Sequence, residues 1–330
     1  MDKARAARIT DIGKVVCEDA PVKTPGDGEL LVRTQMAAIC GSDLHKVYLG
    51  DDQVLGGTCA HGYPGHEGIG VVEQSNHEDF KPGDRVLTVP GPPETYCFAD
   101  YQVIPAWSCL KVPEDKPLDE LLMAQQLGTC IFALRQLPVD VVGRTVLVMG
   151  QGSAGMFFAK LLKRAGAAQV IATDLSETRL AYGKAMGGID VAVQAKGDNV
   201  QQAVADLTGG AGADYVVEAV GVPETQLDAV SLTKFDGNIL YFGLPGALEP
   251  IPFDFNGFFR KRLTTNTTYG CQFEPGLVSF QMALDMILQG EINVKGLVSN
   301  VLSLEQISEA MRTAHEDINT SLKVAIDMNA

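Results

Sequence analysis

At 330 residues the chain is long enough for two domains, each with a core of its own. Its 26 Lys and Arg against 41 Asp and Glu give a formal charge of −15, which argues against a nucleic-acid surface or a polybasic membrane patch. Seven scattered Cys without a C-x-x-C pair fit neither a disulfide framework nor a four-cysteine zinc lobe, and 35 Gly point to many tight turns.

The first 120 or so residues read as short strands (LLVRTQMAAI, GIGVVEQS, DRVLTVP, ADYQVIP) parted by Gly, Pro and Asp clusters. From Gly143 the texture changes to apolar runs alternating with helical patterns. TVLVMG, QVIATD, DVAV, DYVVEAVG, NILYFG and a segment near Leu263 to Thr268 are six expected strands with helices between them. Such alternation implies parallel β-α-β units, because parallel strands need crossovers and buried strands read as continuous apolar runs. After Gln272 come two helical patterns, Gly276 to Gln289 and Leu304 to His315, and a last strand, SLKVAIDM. They are too short to be a domain and are expected to rejoin the N-terminal unit. No h-region follows the basic N-terminus, and the longest uncharged run, Thr145 to Ala159, is too short for a membrane span. A reduced, cytoplasmic, soluble protein is therefore expected, with no nucleic-acid or membrane partner. Trp107, the single tryptophan, is expected to pack near a strand end.

Gly150-Gln-Gly152-Ser-Ala-Gly155 is a G-x-G-x-x-G set between an expected strand and an expected helix. In that context Gly150 makes the turn, Gly152 lets the backbone reach a pyrophosphate, and Gly155 lets the helix pack on the strand. Gly150, Gly152, Ser153, Ala154 and Gly155 are thus the candidate cradle of a dinucleotide. Asp174 ends the second strand 22 residues beyond Gly152, where a carboxylate accepts hydrogen bonds from an adenosine ribose and repels a 2′-phosphate. NAD is expected over NADP. Arg179 is the nearby cation that would otherwise greet that phosphate.

Three of the five His (His45, His61, His66) and two of the seven Cys (Cys40, Cys59) fall within 27 residues. A thiolate, an imidazole and a carboxylate gathered by a β-rich fold make a zinc site, and three protein ligands with an open position mark a catalytic one. The residues alone leave the other reading open: a buried cysteine and a hydrogen-bonded loop histidine.

CGSDLH, GHEGIGVV, the KPGDRV turn and the later VLVMGQGSAG with ATD resemble the medium-chain dehydrogenase/reductase superfamily, in its zinc-dependent alcohol, polyol and sorbitol dehydrogenase branch. The similarity covers essentially the whole chain. It implies an α/β protein: a GroES-like β-rich catalytic domain (1–125 and 272–330) interrupted by a Rossmann domain with a doubly wound six-stranded parallel sheet (126–271). It further implies Cys40 and His66 as ligands of a catalytic zinc, Glu67 as a ligand or an adjacent carboxylate, and Ser42 with His45 as the proton relay. Asp43 would orient the metal ligands through hydrogen bonds. His61 and Cys59 match no family ligand and are expected in a surface loop and in packing.

The sequence departs from the family in two places. No run of four closely spaced cysteines follows the DRV strand, so one catalytic zinc per subunit and no structural zinc is expected. At the usual third ligand, LLMAQQLGTCIFAL places Gln125; Gln126 is one residue away, and Cys130 would need a five-residue shift. A Cys40 thiolate, neutral His66, ionised Glu67 and neutral Gln125 balance Zn²⁺, as a Cys₂His set does. Coordination through Cys40, His66 and Glu67 is therefore expected, with Gln125 weak or exchangeable.

The activity implied is reversible hydride transfer between a secondary alcohol, polyol or sugar-type substrate and NAD, in a homodimer or homotetramer. Two alternatives stand beside it: a zinc-independent NAD(P)H reductase of the same superfamily, whose members generally lack Cys40, His66, Ser42 and His45, and a non-catalytic NAD-binding or structural protein.

Overall fold

Strands that bury one face alternate apolar and polar residues, whereas strands covered on both faces are apolar throughout, and this chain holds both kinds. A computed structural model describes residues 3–91, 96–137, 140–197, 199–245 and 250–330. The chain opens with β1 (Lys3–Asp11) and β2 (Lys14–Pro21), an antiparallel pair. No strand is expected there from sequence, because Ala-rich and charged residues blur the alternation.

Then follow β3 (Glu29–Ala38), α1 (Gly41–Leu49), α2 (Asp52–Leu55), β4 (Glu67–Ser75), β5 (Arg85–Thr88), β6 (Tyr101–Pro105), β7 (Cys109–Lys111) and α3 (Leu118–Arg135). The next stretch alternates strictly: β8 (Thr145–Met149), α4 (Ser153–Arg164), β9 (Gln169–Asp174), α5 (Glu177–Ala185), β10 (Val191–Gln194), α6 (Asn199–Thr208), β11 (Ala213–Glu218), α7 (Pro223–Leu232), β12 (Thr233–Tyr241), α8 (Phe255–Arg260) and β13 (Thr264–Thr267). It closes with α9 (Val278–Leu288), β14 (Val298–Ser303), α10 (Ile307–Glu316) and β15 (Lys323–Asp327).

Two compact units result: Met1–Thr129 with Gly270–Ala330, and Cys130–Tyr269. The change of unit falls inside α3, a continuous 18-residue helix, four residues beyond the boundary expected after residue 125. In the second unit the order β10-β9-β8-β11-β12-β13 is parallel throughout, the doubly wound arrangement expected of a Rossmann domain. Val146, Leu147 and Val148 of β8 are fully buried, which is why that strand reads as an unbroken apolar run. α4 buries Met156, Phe157, Phe158, Ala159, Leu161 and Leu162. β12 starts at Thr233, earlier than the apolar run NILYFG indicates, through an irregular register against β11.

The first unit is built on a sheet ordered β14-β15-β3-β4-β5-β7, with β6 also on β3. The C-terminal strand β15 thus lies directly beside β3. Ala38 of β3 faces Glu67 on one side and Ala325 on the other, and Ile39 N–H donates to Val324 O at 2.9 Å. Hydrogen-bonded strands lie about 4.8 Å apart. That register therefore brings the end of β3, the start of β4 and the start of β15 to one place.

Candidate active site

Cys40 follows β3 and is the N-cap of α1. Its backbone N–H donates to Asp43 Oδ2 at 2.9 Å, so the acid of the first helical turn caps the helix whose N-terminal dipole it also complements. Asp43 is completely buried, and its other oxygen lies 2.9 Å from His66 Nδ1. Pro64 O is a further acceptor for that nitrogen at 3.2 Å. His66 Nε2 is left facing Ser42 Oγ at 3.4 Å. One carboxylate thus fixes both the helix that starts at the cysteine and the ring of the histidine. Burial works against a charged His66 ring, but Asp43 and Cys40 outweigh it and raise its pKa well above the ordinary value.

Cys40, His66 and Glu67 offer a sulfur, a nitrogen and a carboxylate oxygen all within 4.8 Å of one another. Among the described residues this is the one group of His, Cys, Asp and Glu so arranged. The donors suit zinc, and the Nδ1 contact to Asp43 is the usual support of a metal-bound imidazole.

Sequence reasoning missed a fourth charged partner. Lys323, the first residue of β15, is 3% exposed and its Nζ lies 2.7 Å from Glu67 Oε2, itself 1% exposed. Nζ also donates to Gln126 Oε1 at 3.3 Å. Burial alone would lower the Lys323 pKa, yet Glu67, Cys40 and Asp43 together raise it. The available signal was a lysine inside SLKVAIDM, a strand otherwise apolar enough to be covered on both faces. With Cys40 ionised and His66 neutral, the forms in which they ligate a metal, three anions (Cys40, Asp43, Glu67) face one cation (Lys323). The two unbalanced negative charges complement a divalent metal.

The paired glutamines are separated by the helix that carries them. Gln125 Nε2 donates to His66 O at 3.1 Å, whereas Gln126 Oε1 is engaged by Lys323. Cys130 Sγ donates to Ala154 O at 3.7 Å and is not in the metal-competent group. Thr129 Oγ1 bonds to Gln125 O at 3.2 Å and lies 3.4 Å from Cys271 Sγ. Burial pushes the Cys271 thiol pKa up. His45 lies one turn beyond Ser42 on α1.

In the second unit the glycine turn has the form its sequence demands. Gly150 has φ +86°, and a Cβ on Gly155 would lie 1.9 Å from Gly150 O, so neither position accepts a side chain without rebuilding the turn. Gly152 caps α4, with Ser153, Ala154 and Gly155 in its first turn. Asp174 accepts Gln151 N–H at 2.6 Å through Oδ2 and Ser176 N–H at 2.7 Å through Oδ1. Arg179 sits on α5, where burial lowers its pKa against the opposing pull of Asp174.

Residues 26–114 match the alcohol dehydrogenase GroES-like domain, and residues 154–289 the zinc-binding dehydrogenase family; together these models span more than half of the chain. The chain belongs to the medium-chain dehydrogenase/reductase family, and is polyol dehydrogenase-like. Human sorbitol dehydrogenase is 28% identical over 96% of this chain and 94% of its own length. The probable D-xylulose reductase A of Neosartorya fischeri is 27% identical, covering 92% and 91%. The short chain alcohol dehydrogenase of Escherichia coli CFT073 solved with NADH superposes with a TM-score of 0.84 at 21% identity, covering 99% of this chain and 100% of that one. Zinc and a nicotinamide cofactor are supported by the match to the zinc-binding dehydrogenase family.

His61 is exposed, with Nε2 3.1 Å from Glu18, and Cys59 packs against a core cluster, both outside the metal-competent group. Trp107 is 56% exposed on a 3-10 turn after β6 and not packed, a correction to the sequence expectation. All seven cysteines are free. No helix among the described residues is long and apolar enough to cross a membrane.

Proposed function

We propose that this protein is a zinc-dependent dehydrogenase that interconverts a secondary alcohol, polyol or sugar-type substrate and its carbonyl, with NAD as hydride carrier. The observation that carries the reading is the cluster of half-buried Cys40 and His66 with buried Glu67, and buried Asp43 behind it, whose donors and charge suit a divalent metal. Zinc, when bound, supplies a Lewis acid that favours the alkoxide form of an alcohol.

The chain's own residues do the rest. Cys40 and His66 would be the principal ligands, Glu67 the third, and Gln125 would contribute its amide oxygen weakly or in exchange with water. Asp43 holds His66 by Nδ1, so that Nε2 keeps its direction. Ser42 Oγ, 3.4 Å from that Nε2, takes the hydroxyl proton of the substrate. His45, one turn further on the helix, delivers it to solvent.

NAD is favoured over NADP because Asp174 is pinned by two backbone N–H groups at the end of β9 and would repel a 2′-phosphate. Leu175, which follows, is exposed and supplies no cation. A single zinc per chain agrees with the lack of a four-cysteine run, although residues 92–95 of that region lie outside the described residues. Free thiols fit a cytoplasmic protein. A homodimer, or a homotetramer of dimers, is supported by β13 at the edge of its sheet and by the exposed Phe253, Phe255 and Phe259 around α8.

The test is a panel of polyols, sugars, amino alcohols and secondary alcohols assayed with NAD and NADP on protein of measured zinc content. Activity should follow zinc occupancy and NAD. Full activity without bound metal refutes the zinc chemistry. Binding of both zinc and NAD without turnover of any substrate favours the non-catalytic alternative.

A further inference from the structure

A lysine ammonium at 3% exposure is sustained only by its partners, and Lys323 has two: Glu67 Oε2 at 2.7 Å and Gln126 Oε1 at 3.3 Å. The register of the sheet puts it there, because Ala325, two residues on, is locked opposite Ala38, which is itself opposite Glu67. Glu67 is at the same time the carboxylate of the metal-competent group. One buried carboxylate is therefore offered to two cations, the ammonium on β15 and a divalent metal at Cys40 and His66.

We infer that Lys323 and the metal compete for the Glu67 carboxylate, so that Lys323 holds the metal-free site together and sets how tightly the metal binds. This rests on the metal reading above. Without metal, half-buried Cys40 and buried Asp43 and Glu67 would crowd three acidic groups into one place, and Lys323 offsets one of them. With metal, the carboxylate turns toward the stronger cation while the ammonium keeps the Gln126 amide oxygen. Gln126 is thereby a parking place for the lysine and not a ligand. Lys323 is a positioning residue: it acts on the metal through Glu67 and touches neither substrate nor cofactor.

The experiment compares the full-length parent with K323M, E67Q and the K323M/E67Q double variant. Zinc affinity is read by competition with a chromophoric chelator, and melting temperature is taken with and without zinc. Methionine keeps the length and apolar stem of lysine and removes the charge. K323M should bind zinc about tenfold or more tightly than the parent, since loss of a unit charge beside a divalent ion is worth that much even at the dielectric of water. Its metal-free form should melt lower and gain more from added zinc, because Glu67 is left unpaired until metal arrives.

In K323M/E67Q both members of the pair are neutral, so the double variant should fold, and its zinc affinity should exceed that of E67Q by clearly less than K323M exceeds the parent, because only the lysine's charge and not its hold on Glu67 is then removed. Unchanged or weaker zinc binding by K323M overturns the competition. So does a gain of the double variant over E67Q as large as that of K323M over the parent, because the lysine would then act by its charge alone. A parent that takes up no zinc defeats the metal reading itself, and with it this inference. A zinc-binding parent with an unmoved K323M affinity defeats the competition only.

Discussion

Asp43→Asn tests whether a single carboxylate organises the metal centre. The side chain is completely buried; its Oδ2 accepts the Cys40 N–H at 2.9 Å, and its Oδ1 lies within ion-pair reach of His66 Nδ1, at 2.9 Å. Asparagine is nearly isosteric but has one oxygen. If that oxygen keeps the Cys40 N–H, the amide NH₂ meets His66 Nδ1–H donor to donor; if it keeps His66, the cap of α1 is lost. Either way one buried, charge-assisted hydrogen bond disappears, a loss of about 1.5–3 kcal/mol. Removing the partner of a metal-bound histidine typically weakens metal binding by about 10–100-fold, which is the same range of free energy. The variant should therefore bind zinc about 10–100-fold more weakly in a chelator competition. For a unit of this size its metal-free melting temperature should fall by about 2–4 °C for each kcal/mol lost. Zinc affinity and melting temperature both equal to the parent would refute the idea that Asp43 holds His66 and the start of α1 in one arrangement.

Gly155→Ala places a methyl group 1.9 Å from Gly150 O, a backbone collision that no rotamer relieves, so NADH binding followed by fluorescence should weaken by about tenfold or more while zinc binding in the other unit is unchanged. Asp174→Ala removes the repulsion of a 2′-phosphate, and the ratio of kcat/KM for NADP to that for NAD should rise by about tenfold or more; a constant ratio would show that Asp174 does not select the cofactor. His45→Ala should slow alcohol oxidation at low pH more than at high pH, where solvent base is plentiful, and an unchanged pH profile would remove His45 from the proton path. In the second unit, burial alone would raise the Asp214 carboxyl, but Lys234, the Thr145 N–H and Arg144 bring it below its ordinary value of 3.8. Its contribution is full above that value and is lost as pH falls through the lower folded pKa, so Asp214→Asn should reduce both stability near neutrality and its acid dependence below about pH 4, as read by melting temperature.

The phosphate turn and the parallel sheet were legible in sequence because their physics is local. Gly150 and Gly155 are forced by one turn and one helix packed on one strand, and the strands of the second unit are apolar on both faces and so advertise themselves. Cys40 and His66 stood out by residue type and spacing. Asp43, beside the relay residues of the family resemblance, was already a candidate for orienting the ligands through hydrogen bonds.

The β1 and β2 pair was not legible, because its pattern of alanines and charges has no clear period. Gln125 and Gln126 could not be told apart by alignment. On a helix successive residues turn by about 100°, so neighbours face different partners, and here one reaches His66 O and the other Lys323. Nothing local assigns Lys323 to Glu67. Gln126 and Lys323 are 197 positions apart, and the contacts of that lysine exist only because β15 is registered on β3 and β3 on β4. Sequence determined the sulfur, nitrogen and carboxylate donors that could hold a metal and the acid at the end of β9, since these depend on residue type and short spacing. The tertiary structure alone decided the charge around the metal, because that depends on which distant strands lie side by side.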